Sequence, residues 1–217
     1  MFARTMAHAD HPILAQIVPI RRCNLSCEYC NEYDKPSAPV PTEVMLQRID
    51  KLSELGTGII TFSGGEPTLH PDLDILIRRV RDNGAIVTLI TNGYLLTVDR
   101  IRQLNAAGLD YLQISIDNVE PDEVSKKSLK VLDRKLEWLS QHAEFDVTIN
   151  SVLGADIARP DDAYQIATRA RGLGFNSTVG VLHDGSGQLR PLDGKQQSVY
   201  ESITGLGGGL FTFSHFD

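Results

Sequence analysis

Apolar positions recur along the chain in two alternating periods, and this alternation predicts the elements of the fold. Ile13–Ile20 is a short apolar run suited to a buried strand. After a polar stretch, Leu46, Ile49, Leu52 and Leu55 follow helical spacing, with Thr42 as the expected N-cap and Gly56 as the stop. Ile59–Phe62 reads as the next strand. Pro71 falls where a first helical position belongs, and Leu73, Leu76, Ile77 and Val80 form an i, i+3, i+4, i+7 stripe ended by Asn83 and Gly84. Strands are expected at Ala85–Ile90, Tyr111–Ile116, Phe145–Leu153 and Ser177–Leu182. Helices are expected between them at Thr97–Ala107, along the stripe Leu129, Leu132, Leu136 and Leu139, and at Asp161–Arg171.

Repeated βα units with short links predict a parallel sheet with right-handed crossovers. The units fill residues 13 to about 182, and six of them fall short of the eight that close a barrel. The expected fold is therefore α/β: a partial, open (β/α)6 TIM-like barrel of parallel strands. Residues 1–12 form an N-terminal tail, 13–184 the core domain and 185–217 a C-terminal extension. The extension is rich in Gly, Ser and Gln, with one short helix near Gln196–Ile203. Its last residues include Leu210, Phe211, Phe213 and Phe216, which either cover the open side of the barrel or begin a further region of a longer chain.

Composition narrows the function classes. The 217 residues are 41% hydrophobic and 23% charged, an ordinary globular balance. Net charge is −7, whereas a nucleic-acid backbone is gripped through a basic footprint, so no nucleic-acid partner is expected. No apolar run approaches the roughly 20 residues of a membrane span. The first residues lack the apolar segment of a secretory signal. A soluble, cytoplasmic protein is the expectation.

The three cysteines change the picture, because all lie within one short segment: Cys23, Cys27 and Cys30. A tight, odd-numbered cluster makes a poor disulfide framework and a good set of soft metal ligands. Three thiolates on a four-iron cluster leave one iron without a protein ligand. A Cys₃His zinc site is the rival, with His70 or His183 as fourth ligand. The plain structural alternative puts all three cysteines on one face of a helix.

The spacing C-x₃-C-x₂-C, with Tyr29 directly before the last cysteine, resembles the radical S-adenosylmethionine (radical SAM) superfamily. Ser63-Gly64-Gly65-Glu66-Pro67, just after the second expected strand, resembles that superfamily's GGE motif. The resemblance covers residues 13 to about 183 and implies an enzyme. It implies that Cys23, Cys27 and Cys30 hold a [4Fe–4S] cluster, whose open iron is chelated by S-adenosyl-L-methionine (SAM). Reductive cleavage of SAM would then give a 5′-deoxyadenosyl radical that acts on an unidentified substrate, with electrons from a protein such as flavodoxin or ferredoxin. The different-class alternative is a non-catalytic, cysteine-rich domain that binds zinc or an iron–sulfur cluster.

Further roles are implied residue by residue. Tyr29 would sit against the adenine. Gly64 and Gly65, lacking a Cβ, allow close backbone approach to a ligand, and Glu66 would pair with the SAM ammonium. Ser115 and Asp117, two residues apart at the end of a strand, resemble ribose-contacting positions. Asn92, in Thr91-Asn92-Gly93, is either a cofactor contact or a plain turn. Asn150 alternates with Val147, Ile149 and Val152 and would face the barrel interior and SAM. Gly180–Leu182 loosely resembles the stretch that brackets adenine. His70 reads as a helix cap or else a substrate contact, and His183 as a candidate substrate contact. Lys126, Lys127 and Lys130 read as a solvated face, in a region where some relatives hold the SAM carboxylate with a basic residue. No catalytic residue is assigned.

Overall fold

The computed structural model describes residues 11–30, 33–123, 125–154, 157–184 and 186–206. Most of the expected N-terminal tail lies outside the described residues, as do Leu210, Phe211, Phe213 and Phe216.

Strands and helices alternate in the order the periodicity predicts. They are β1 (Leu14–Ile20), α1 (Thr42–Glu54), β2 (Ile59–Gly64), α2 (Leu73–Asp82), β3 (Ile86–Thr91) and α3 (Val98–Ala107). There follow β4 (Tyr111–Ser115), α4 (Leu129–His142), β5 (Asp146–Gly154), α5 (Asp161–Gly172), β6 (Asn176–Leu182) and α6 (Gly194–Gly205). A single 3₁₀ turn, Pro67–Leu69, interrupts the β2–α2 link. The strands form one six-stranded sheet in the order β1-β2-β3-β4-β5-β6, every neighbouring pair parallel. Sequential order winds every crossover in one direction. A doubly wound sheet would instead reverse at an internal strand. The fold is thus the open, partial TIM-like barrel that the sequence predicts.

Register explains the core. Ile17, Phe62, Leu89, Leu112 and Val147 are matched across five strands, and all are packed into or against the main apolar cluster. Leu73, Leu76, Ile77 and Val80 of α2 and Leu132, Leu136 and Leu139 of α4 close over that face. The opposite face is polar. Gln16, Thr61 and Thr88 form one matched row, with the two threonine hydroxyls 2.5 Å apart. Ser115, Asn150 and Thr178 form another row nearer the strand ends. A smaller apolar cluster joins α6, through Val199 and Ile203, to Leu153, Ala163, Ala167 and Val179. Helix α6 is therefore packed against α5, β5 and β6.

Two helix starts differ from expectation. Pro41, not Thr42, is the N-cap of α1, because the Thr42 hydroxyl is donated to Asp72 Oδ2 at 2.5 Å. Helix α2 begins at Leu73 with Asp72 as N-cap, two residues beyond Pro71. Among the described residues, no helix is long and apolar enough to cross a membrane.

Candidate active site

The cysteines lie in the loop that leaves β1 at its C-terminal end. The loop has a neck, where Cys23 N–H donates to Asp34 O at 3.1 Å and Asp34 N–H to Arg21 O at 3.0 Å. Lys35 Nζ tightens it by donating to the carbonyls of Cys23 and Leu25 at 3.2 and 2.7 Å. Inside the neck the chain makes a turn, with Cys30 N–H on Cys27 O at 3.1 Å, and no helix. The helical-face alternative for the cysteines is therefore wrong. All three thiols are free; Cys27 is buried, while Cys23 and Cys30 are half-buried.

Burial pushes the Cys23 thiol up; the Leu25 N–H opposes this, and the negative charges of Glu66, Cys27 and Cys30 add to it. The three sulfurs thus sense one another, although no group of three ligating side chains is gathered tightly enough to cage a metal among the described residues. The donor set, all soft sulfur, fits an iron–sulfur cluster or zinc.

The GGE turn docks on this loop. Gly65 N–H donates to Ile20 O at 3.2 Å, and Glu66 N–H to Arg22 O at 3.0 Å. A Cβ on Gly65 would lie 2.2 Å from Arg21 O and 2.4 Å from Arg22 O. Gly64 has φ +111°, and a Cβ there would lie 2.4 Å from a Val18 methyl. Gly65 thus permits close approach to the backbone of the cysteine loop, and Gly64 to the Val18 side chain of β1.

Glu66 is completely buried. Its Oε1 accepts from Thr68 N–H at 3.0 Å, from the Thr68 hydroxyl, and from the Thr91 hydroxyl at 2.7 Å. Oε2 accepts from Asn92 N–H at 2.8 Å. Among the described residues no lysine, arginine or histidine forms a salt bridge with it, and the half-buried Arg100 guanidinium interacts with its charge only at longer range. Asn92 links this carboxylate to the cysteines, its amide donating to Asn24 Oδ1 at 2.7 Å and to Cys23 Sγ at 3.7 Å. It also makes the turn, accepting from Tyr94 N–H at 3.0 Å ahead of Gly93 at φ +75°.

A second cluster forms on Asp117, which is 6% exposed. Its Oδ2 accepts from Tyr29 OH at 2.5 Å and Ser125 Oγ at 2.6 Å, and pairs with Lys127 Nζ at 3.1 Å. Its Oδ1 is buried and has no hydrogen-bond partner among the described residues. Lys127 also stands over the Tyr29 ring, 5.1 Å from the centroid. Burial alone would lower the Lys127 ammonium, but the negative charges of Asp117, Tyr29 and Cys27 hold it well above the lysine range. Burial, then the Asp117 charge, raises the Tyr29 phenol. Ser125 completes the link to the sulfurs, with its Oγ 3.6 Å from Cys27 Sγ.

Lys127 corrects an expectation: its side chain is only 13% exposed and belongs to the site, not to a solvated face. Lys126 and Lys130 do lie on the surface, bound to Asp122 O and Glu120. Ser125 carried no local signal; its role depends on a loop that returns to the cysteines from 98 residues away.

The remaining candidates stand apart from these two clusters. Asn150 and Ser115 share a face and a register row, and Asn150 Oδ1 accepts from Thr178 Oγ1 at 2.9 Å. Gly180–Leu182 is matched with Val152–Gly154 on β5. His70 is buried and committed at both nitrogens, Nε2 to Val40 O at 2.9 Å and Nδ1 accepting from Asp72 N–H at 3.2 Å. It caps the turn before α2 and is not available as a fourth zinc ligand. His183 is exposed beyond β6, with Nδ1 3.0 Å from Asp184 O. A depression of about 370 Å³ between α5 and α6 contains none of the candidate site residues.

Comparison with known proteins bears on the same segment. Residues 17–186 match the Radical SAM superfamily. The chain is 33% identical over 149 residues to the PqqA peptide cyclase of Bradyrhizobium diazoefficiens, covering 65% of this chain and 39% of that protein. It is 33% identical over 138 residues to the AdoMet-dependent heme synthase of Methanosarcina barkeri, covering 60% and 40% respectively. The chain thus spans well under half the length of these relatives. SuiB from Streptococcus suis, solved with S-adenosylmethionine, shares the fold at a TM-score of 0.70 and 17% identity, covering 94% of this chain and 50% of that one. Coproporphyrinogen III oxidase (HemN) of Escherichia coli shares it at 0.62 and 15% identity, with 94% and 55% covered.

Proposed function

The chain belongs to the radical SAM superfamily, and from that premise we propose that Cys23, Cys27 and Cys30 hold a [4Fe–4S] cluster at which SAM binds and is cleaved. When bound, the cluster and SAM supply one-electron cleavage to methionine and a 5′-deoxyadenosyl radical, which then acts on substrate. The observation that carries this reading is the docking of the GGE turn on the cysteine loop. It sets a buried carboxylate, with no salt-bridge partner among the described residues, beside three free thiols. A buried carboxylate without a salt-bridge partner favours a cationic ligand, and the ammonium of an amino acid is one.

The protein's own groups orient and shield. Glu66 receives the ammonium while Thr68, Thr91 and the Asn92 N–H hold its position. Asp117 accepts from the ribose hydroxyls, its empty Oδ1 being the first acceptor available. Lys127 pairs with Asp117 and holds its carboxylate in place, and the Tyr29 ring offers a flat apolar surface to the adenine. Asn92 steadies the Cys23 side of the loop. Gly64 and Gly65 serve by letting the turn reach that loop, and Ser115 and Asn150 line the polar face beyond the ribose position. Residues 13–184 form the catalytic core domain and 185–217 an extension to it. The substrate is unidentified, since relatives named for peptide cyclisation and for heme synthesis align with the same core. The electron donor is a small redox protein such as flavodoxin or ferredoxin, and the site of action the cytoplasm.

The test is removal of single ligands. Cys23→Ala, Cys27→Ala or Cys30→Ala in anaerobically reconstituted protein should abolish formation of 5′-deoxyadenosine from SAM and bleach the brown colour. A Cys27→Ala variant that still makes 5′-deoxyadenosine overturns the assignment.

A further inference from the structure

The hydroxyl of Ser125 has one proton and two acceptors. It is donated to Asp117 Oδ2 at 2.6 Å, while Cys27 Sγ lies 3.6 Å from the same oxygen. The Ser125 oxygen also accepts Lys127 N–H at 3.2 Å. With Cys27 as a thiol the arrangement is complete, because the thiol donates to Ser125 and Ser125 to Asp117. A metal-ligating cysteine sulfur carries no proton. Cys27 and Asp117 then compete for the single Ser125 proton.

Asp117 is lopsided. Its Oδ2 serves three donors, Tyr29 OH, Ser125 Oγ and Lys127 Nζ, while its Oδ1 is buried and empty. A carboxylate oxygen offers about two lone pairs, so Oδ2 is already crowded. A vicinal diol docking here fills Oδ1 with one hydroxyl and needs room at Oδ2 for the other. One resident donor must leave. Departure of Lys127 breaks a buried ion pair, and among the described residues Tyr29 OH donates only to Asp117. Ser125 has a second acceptor waiting in Cys27 Sγ, and turning to it breaks no ion pair. Its backbone is fixed, with N–H on Asp122 Oδ1 at 2.9 Å and C=O accepting from Asn118 Nδ2 at 3.2 Å, so turning the hydroxyl requires no loop movement.

We propose that Ser125 is a positioning residue whose hydroxyl passes from Asp117 to the Cys27 sulfur when a ribose diol occupies Asp117. The inference rests on the cluster-and-SAM reading above and deepens it. Occupancy of the nucleoside site would thereby be reported to one cluster sulfur through a single proton. A hydrogen bond to a ligating sulfur favours the reduced, more negative cluster and raises its potential.

The experiment is an EPR-monitored redox titration of the anaerobically reconstituted full chain, with and without SAM, for wild type, Ser125→Ala and Ser125→Thr. Without SAM, wild type and Ser125→Ala should share one midpoint. With SAM, the Ser125→Ala midpoint should lie below that of wild type by a roughly tenfold change in the reduction equilibrium, about 59 mV for one electron. Ser125→Thr, which keeps the hydroxyl, should follow wild type. An equal response to SAM in wild type and Ser125→Ala overturns the proposal. So does a midpoint lowered equally in both conditions, which marks a permanent bond, or a Ser125→Thr protein that behaves like Ser125→Ala. Wild-type protein without a cluster, or with a cluster whose EPR signal ignores SAM, fails the underlying reading and the inference with it; an intact SAM response with no Ser125 effect fails the inference alone.

Discussion

Lys127 and Asp117 are an ion pair taken out of water, with side chains 13% and 3% exposed. In that setting the cost of breaking the pair exceeds the value of forming it, because the surviving charge is left without compensation. Lys127→Ala should therefore destabilise the protein by about 3 kcal/mol or more, read as a lower urea midpoint at pH 8. Alkaline pH should act on the same cluster. Both the Lys127 ammonium and the Tyr29 phenol are held above their ordinary values, so folding retains protons that the unfolded chain releases. Their contribution is complete below the unfolded values of about 10 and is lost as pH rises beyond them. Wild type should lose stability between pH 9 and pH 11, and Lys127→Ala should lose less over that interval. Equal midpoints for the two proteins at pH 8, or parallel losses at pH 11, would refute this account of the cluster.

At the scale of elements, local periodicity carried the regular structure and little of the site. The stripe Leu73, Leu76, Ile77 and Val80 is fully buried on α2, and the run Asp161–Arg171 ends one residue short of the α5 boundary. Such patterns depend only on neighbours along the chain. Thr42 fails as a cap for the opposite reason: its hydroxyl is taken by Asp72, 30 residues on. Tyr29 meets Asp117 across 88 residues, and Lys127 meets Tyr29 through the same fold closure, so charge pattern alone made Lys127 look solvated. The glycines of the GGE turn were legible as a motif, but their neighbour, the backbone of Arg21 and Arg22, was not. That contact makes Gly65→Ala a sharp test. Its new Cβ would fall 2.2 Å from a backbone oxygen that has no rotamer to escape into. Overpacking of this kind costs about 1–3 kcal/mol, and here the strain falls on the joint between turn and cysteine loop. The variant should unfold at lower urea and retain less iron after reconstitution. A Gly65→Ala protein equal to wild type in both would detach the turn from the loop in function as well as in packing.

For the whole molecule, the parallel strands in sequential order direct their C-terminal ends toward the Cys23–Cys30 loop, the Glu66 turn, Asn92 and Asp117, each following a different strand. A parallel sheet brings such loops to one edge whatever their separation in sequence. All the thiols of the chain lie in one of those loops, so the chain has material for a single sulfur-ligated centre. Zinc and a cluster make different demands on it. Zinc in a closed structural site takes four protein ligands, and His70, the buried histidine proposed for the fourth, is engaged at both nitrogens. A cluster is satisfied by three thiolates plus an exchangeable ligand. Anaerobically reconstituted protein should hold about four irons and four sulfides per chain, as one [4Fe–4S] centre requires. SAM should change the EPR signal of the reduced protein, and removal of iron by a chelator should abolish that change while the fold, seen by far-UV circular dichroism, remains. The last expectation follows from the main apolar cluster, which is built by the matched apolar row and the helices over it and includes no cysteine. One zinc per chain after purification without added metal, with no effect of SAM on reconstituted protein, would assign the loop to zinc and leave the GGE turn as a structural joint.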